Sequence, residues 1–306
     1  MSVAIIGQTK SESNIKLLEE AKKRFGSVFF VPIESIVIGL EKSFTITYRT
    51  SDMQKFKAIL PRVPSAYSSY AYQLLSLFPQ DTFMPIKPIS FLLTAERFFM
   101  LTVLRKREIP TISMHLARSE KAAHRIIENS QYPVIIRSPT KTTGVTVKNS
   151  AEAKNVVDAL IGIKQPVLVE ESVKEMVSAY VADPDVLASA RKKTKETDLV
   201  FSRGNLKSHK LSLGAEQLAI DTARALDSQF ARVDISLTRE EPVVANVELC
   251  PDLITPSKAT GVNLPAKVMD SFRANYESHQ QRPIIMKFFD DAKSVVKDVL
   301  RTKQLL

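Results

Sequence analysis

The chain has 306 residues, 44% of them hydrophobic and 25% charged, the balance of a folded protein long enough for two or three compact units. No uninterrupted apolar run reaches membrane-spanning length, and Met1-Ser2-Val3-Ala4-Ile5-Ile6-Gly7 lacks the basic region and cleavage site of a signal peptide. The formal net charge of +10 favours an anionic partner (nucleotide, nucleic acid or acidic peptide), and the single cysteine, Cys250, allows no internal disulfide, so a reducing cytoplasm is expected.

In chain order, residues 3–7 form a short apolar run, and Ser13 to Phe25 reads as an amphipathic helix with Ile15, Leu18 and Ala21 among its apolar positions. Strand-like runs at Val28–Val31 and Lys57–Leu60 alternate with it, which predicts an α/β unit with a parallel sheet over residues 1–87. Pro85 and Pro88 place a boundary there. Helical signals then run from Thr94 to Lys106, Ser119 to Asn129 and Ala151 to Ile161. With strands at Val134–Arg137, Gly144–Val147 and Val167–Glu170, they predict a smaller α+β unit over 88–176. A third unit, 177–281, holds strands at Ala179–Ala182 and Leu199–Phe201 and helices at Ala215–Leu226 and Leu264–Tyr276. The segment 282–306 carries Phe288, Ala292, Val295 and Val299 at helical spacing, an amphipathic helix that packs on the body or docks a partner or second copy.

Two features carry chemistry. Between Arg191 and Lys210 seven basic residues face two acids, which puts half of the net charge in one segment. In Val243-Val244-Ala245-Asn246-Val247-Glu248, Asn246 and Glu248 are two apart in a strand-like run and share a face. Asp234 lies in a similar run, and a turn from Thr238 to Pro242 pairs the two antiparallel. Three oxygen-bearing side chains with two negative charges would meet on one sheet face, a set suited to a magnesium ion shared with nucleotide phosphates. A solvated polar face is the plainer alternative. Cys250 beside this strand reads as a small buried hydrophobe.

The order of these features resembles the ATP-grasp superfamily, and within it the RimK-type carboxylate–amine ligases that add glutamate. Phe56-Lys57-Ala58-Ile59-Leu60-Pro61-Arg62-Val63 resembles the family's F-D-A-V-I-P-R-I, and Val167-Leu168-Val169-Glu170-Glu171-Ser172-Val173-Lys174-Glu175 resembles its hinge I-L-V-Q-E-Y-I-K-E. Lys195-Glu196-Thr197-Asp198 with Arg203-Gly204-Asn205-Leu206 is similar to K-E-G-D-F-R-S-N-L. Val233-Asp234-Ile235, Asn246-Val247-Glu248 and Lys258-Ala259-Thr260-Gly261-Val262 complete the set, so the likeness spans roughly Val3 to Phe272.

The resemblance implies an ATP-grasp architecture, an N-terminal α/β domain followed by two α+β lobes that enclose the nucleotide. It implies an ATP- and Mg2+-dependent ligase acting through an acyl phosphate on an acidic, glutamate-like peptide or cofactor. By position, Asp234, Asn246 and Glu248 would hold magnesium, and Arg203 and Asn205 would serve catalysis at the transferring phosphate. Glu170, Glu171, Ser172 and Val173 would line the adenine slot, and Arg97 and Arg137 fall where the family has two phosphate-binding lysines. The family's glycine-rich cover is here Ser138-Pro139-Thr140-Lys141-Thr142-Thr143-Gly144, leaving Lys141 to reach phosphate by its side chain. The metal pair is inverted from E-V-N to Asn246-Val247-Glu248, which moves the carboxylate about 6–7 Å along the strand. These departures keep a second function open: a catalytically impaired nucleotide-binding scaffold whose basic surface holds RNA or an acidic protein.

Overall fold

Val3, Ala4, Ile5 and Ile6 are all fully buried, as a strand covered on both faces must be. They form β1 (Ser2–Gly7), the middle of a three-stranded parallel sheet with β2 (Ser27–Pro32) and β6 (Ala58–Arg62) on either side. The computed structural model describes residues 2–40, 44–139, 144–173, 175–193, 206–237 and 241–281. Lys141, Arg203 and Asn205, the strand expected at 199–201 and the helix expected in 282–306 lie outside the described residues.

Helix α1 (Glu12–Lys22) crosses from β1 to β2. Ser11 caps it by accepting from the Asn14 amide, a bond worth about 1 kcal/mol, and Leu17 and Ala21 face the sheet. A meander not anticipated from the sequence follows: β3 (Ile36–Leu40), β4 (Phe44–Tyr48) and β5 (Ser51–Asp52). Helices α2 (Ser68–Ser76), α3 (Pro88–Leu93) and α4 (Arg97–Lys106) lead out of this unit.

The second unit is an antiparallel sheet in the order β7 (Met114–Ala117), β10 (Val167–Glu171), β8 (Val134–Arg137), β9 (Val145–Val147). Helices α5 (Glu120–Glu128) and α6 (Ser150–Gly162) cover one face, capped by Ser119 and Asn149. The third unit is a five-stranded antiparallel sheet: β13 (Leu206–Ser208), β12 (Asp185–Lys193), β11 (Glu175–Ala182), β14 (Phe230–Ser236) and β15 (Val243–Glu248). Helices α7 (Leu213–Ala225), α8 (Ile254–Thr260) and α9 (Leu264–Gln281) pack on it. Gly261, at φ +74°, ends α8 in the left-handed conformation that glycine adopts without a Cβ penalty.

The buried apolar side chains gather in two cores. Phe91, Met100, Leu101, Leu104, Ile109 and Ile112 join one continuous core shared by the first and third units. The small sheet and its two helices have a separate core that begins at Ala117 and ends at Val169. Residues 88–112 therefore belong to the large body. The amide of Ile112 donates to Val244 O at 3.0 Å and that of Val244 donates to Pro110 O at 2.8 Å, pairing the connecting segment with β15.

The first and third units are fastened by aromatic and polar contacts. Phe25 and Phe83 meet Phe272 with centroids 5.8 and 5.4 Å apart. Buried Arg62 donates to Asn14 Oδ1 at 3.1 Å and to Pro251 O at 2.6 Å. The Ser13 hydroxyl donates to Asp252 Oδ1 at 2.8 Å and accepts from the Leu253 amide at 3.0 Å. Two bodies result, with a cleft between them.

Candidate active site

Strand register builds the site. In β14 and β15 Arg232 stands opposite Glu248 and Asp234 opposite Asn246, while β11 places Tyr180 opposite Arg232 and Ser178 opposite Asp234. Side chains two apart on a strand share a face, so all six project to the same side of the sheet. The expected trio is thus brought together, with Arg232 inserted beside it.

An ionic network runs from here into the small lobe. Arg232 grips Asp234 with both arms of its fork, Nε to Oδ1 at 3.0 Å and Nη2 to Oδ2 at 3.0 Å. Its Nη1 lies 2.7 Å from Glu248 Oε2. Ser178 Oγ donates to Asp234 Oδ1 at 2.6 Å, and Asn246 Nδ2 donates to Asp234 Oδ2 at 3.1 Å. Arg97, the first residue of α4, donates from Nη1 to Asn246 Oδ1 at 2.9 Å and from Nε to Glu170 Oε2 at 2.8 Å. Glu170 also pairs with Arg137. Three guanidiniums and three carboxylates alternate from Arg137 to Glu248, and Arg97 is the link that crosses between the bodies.

Burial alone would push the Asp234 carboxyl up, but the Arg232 charge and hydrogen bonds from Ser178, Arg232 and Asn246 outweigh it and hold Asp234 below the ordinary carboxylate value. For Arg232 burial works against the charge, and Asp234 and Glu248 more than restore it. Glu248 is pushed up by desolvation and by Asp234, against the pull of Arg232. Burial raises the Tyr180 hydroxyl and the Cys250 thiol, so both stay protonated at neutral pH.

A cavity of about 390 Å³ opens over this network, lined by Arg97, Arg137, Arg232, Asn246 and Glu248 together with Ser65 and Ser68 of the first unit. Glu170, Glu171 and Ser172 line a different, larger cavity of about 630 Å³ beside His115, Arg125 and Tyr132 of the small lobe. The smaller space is the candidate active site because the charged groups converge there. Val173 packs against the large core. Gly144 lies so close over the small sheet that a Cβ would meet Ile135 at 2.8 Å and Arg137 at 3.3 Å. Arg232 and Ser178 were missed as site residues. The signal for Arg232 was its place two residues before Asp234; Ser178 has none in sequence, since only the register brings it there.

The family model for the RimK-like ATP-grasp domain matches residues 94–272. The chain belongs to this family. A relative named probable alpha-L-glutamate ligase, from Citrobacter koseri, is 23% identical over 88% of this chain and 94% of its own length. A ribosomal protein bS6–L-glutamate ligase from Escherichia coli is also 23% identical, over the same shares of the two chains. Among solved structures, the ATP-grasp ligase PsnB bound to a minimal precursor superposes with a TM-score of 0.72 at 15% identity, over 89% of this chain and 98% of that one. A RimK-domain ATP-grasp protein from Sphaerobacter thermophilus gives 0.69 at 19% identity, over 89% and 99%. These RimK-like relatives are named as ligases. Among the described residues no helix is long and apolar enough to cross a membrane.

Proposed function

We propose that this RimK-like protein is an ATP-dependent ligase that joins the amine of an amino acid, glutamate first among the candidates, to a carboxylate on an acidic peptide or protein. The observation that carries this reading is the convergence of Arg97, Arg137 and Arg232 on one cavity between the lobes of an ATP-grasp fold. A carboxylate oxygen attacks the γ-phosphorus, the bond to the β–γ bridging oxygen breaks, and ADP leaves with an acyl phosphate formed. The amine nitrogen then attacks the acyl carbon, the C–O bond to phosphate breaks, and the amine gives up a proton.

The chemistry needs positioning and dispersal of negative charge. Arg97 and Arg137 would share their donors between Glu170 and phosphate oxygens, and the adenine would lie toward Glu171, Ser172 and Val173. Lys141, Arg203 and Asn205 are proposed to reach the phosphates from outside the described residues. Magnesium at Asp234, Asn246 and Glu248, which the family implies, does not fit these side chains as they stand. Each Asp234 oxygen already accepts two hydrogen bonds, and Asn246 Oδ1 accepts from Arg97.

A second reading is favoured by the same network: three carboxylates cancel three guanidiniums before nucleotide arrives, as suits a non-catalytic scaffold that holds RNA or an acidic protein. ADP release in the presence of glutamate and a panel of acidic peptides separates the two. Turnover that requires both substrates supports the ligase. ATP binding without turnover, beside RNA binding that weakens steeply with salt, supports the scaffold.

A further inference from the structure

The side chains around Asp234 are arranged as a cation site whose cation belongs to the protein. A carboxylate offers about four lone-pair positions, and those of Asp234 are filled by Ser178 Oγ, Arg232 Nε, Arg232 Nη2 and Asn246 Nδ2. The amide of Asn246 is oriented by both its neighbours, its oxygen toward the Arg97 guanidinium and its nitrogen toward the Asp234 carboxylate. A metal ion between Asp234 and Asn246 would have to reverse that amide and break both bonds. Arg232 meanwhile spans from Asp234 to Glu248, and opposite placement of Arg232 and Glu248 in the strand register makes this bridge a property of the sheet.

We propose that the Arg232 guanidinium takes the place of a divalent cation between Asp234 and Glu248, so that these residues hold no metal and nucleotide phosphate meets a resident arginine instead. The second half rests on the ligase reading, the first does not. A guanidinium carries five donors in a planar fork suited to phosphate oxygens. Arg232 gives two of them to Asp234, sets one terminal nitrogen against Glu248, and still lines the cavity. It brings one positive charge where a magnesium ion brings two, and it needs no free metal.

The test uses the full chain with Mn2+ as a spectroscopic substitute, its free fraction read by electron paramagnetic resonance. The wild-type protein is expected to bind no Mn2+ that Asp234→Asn removes. Arg232→Ala, or Arg232→Gln where the smaller side chain fails to fold, is expected to gain a Mn2+ that is lost again when Asp234→Asn is added. The exposed Glu120 and Asp158 and the half-buried His124 lie close enough together to attract an ion, but Asp234→Asn leaves such binding unmoved. Wild-type binding that Asp234→Asn abolishes overturns the proposal, and so does a folded Arg232 variant that gains nothing. In a second arm a fluorescent ATP analogue is titrated with Mg2+ or with EDTA. Wild-type affinity is expected to be nearly equal in the two, while the Arg232 variants weaken by roughly tenfold or more in EDTA. A wild-type protein that binds only with Mg2+ overturns the proposal. Absence of nucleotide binding under both conditions refutes the ligase reading and leaves the Mn2+ arm to judge Arg232.

Discussion

Glu170→Gln should destabilise the protein far more than its single-atom change suggests. The Glu170 side chain is 1% exposed and pairs with both Arg97 and Arg137, itself buried. The substitution keeps the shape, so no cavity forms, but two guanidiniums lose the anion they share in a site poorly reached by water. Removing one partner of a buried ion pair costs about 3–5 kcal/mol, and the amide oxygen still accepts one hydrogen bond, so about 3 kcal/mol is expected. At about 2–4 °C per kcal/mol for a protein of this size class, the melting temperature falls by roughly 6–12 °C. Thermal unfolding followed by circular dichroism measures it. An internal standard is the pair of Arg273 and Glu277, each 53% exposed, where Glu277→Gln should stay within about 0.5 kcal/mol of wild type. Adding Arg137→Gln to Glu170→Gln should recover part of the loss, because one of the two buried positive charges is removed together with the carboxylate. A Glu170→Gln protein that melts with the Glu277→Gln standard would refute the claim that the network is buried and mutually dependent.

Other expectations follow from neighbouring residues. Asp234 has a lowered folded pKa, so its contribution is complete above the unfolded value of about 3.9 and is lost as pH falls through the folded value. The stability gap between wild type and Asp234→Asn, measured in urea, should therefore close below about pH 4; a gap that widens there contradicts the assignment. Ser13→Ala removes the acceptor of the buried Leu253 amide and should lower stability by about 1–3 kcal/mol, seen as a shifted urea midpoint. Cys250, its thiol raised by burial, should react with iodoacetamide at neutral pH about tenfold or more slowly than a free thiol, and faster only on denaturation.

Much of the fold was legible because its signals are local. The uninterrupted Val3–Ile6 run marks a strand buried on both faces, and the two-residue spacing of Asn246 and Glu248 puts them on one face beside Asp234. What the spacing does not carry is partnership. Arg232 shares the face of Asp234 by the same rule, but only the pairing with Glu248 shows that it bridges the two carboxylates. Glu170 stands in a stretch that resembles an adenine-binding hinge, yet its side chain is spent on Arg97 and Arg137 from two other elements. The helical spacing of Met100, Leu101 and Leu104 predicts an apolar face without saying which of two cores receives it. Local periodicity specifies faces; long-range pairing specifies what those faces do.

The most direct measurement puts the full chain, ATP, glutamate and an acidic acceptor peptide in one reaction, with ADP and peptide mass read from the same sample. The ligase assignment predicts ADP formed in step with a peptide heavier by glutamyl residues, with both signals absent when glutamate or acceptor is omitted. ATP bound but unconsumed across the whole acceptor panel, or ADP released at the same rate without any acceptor, would contradict it.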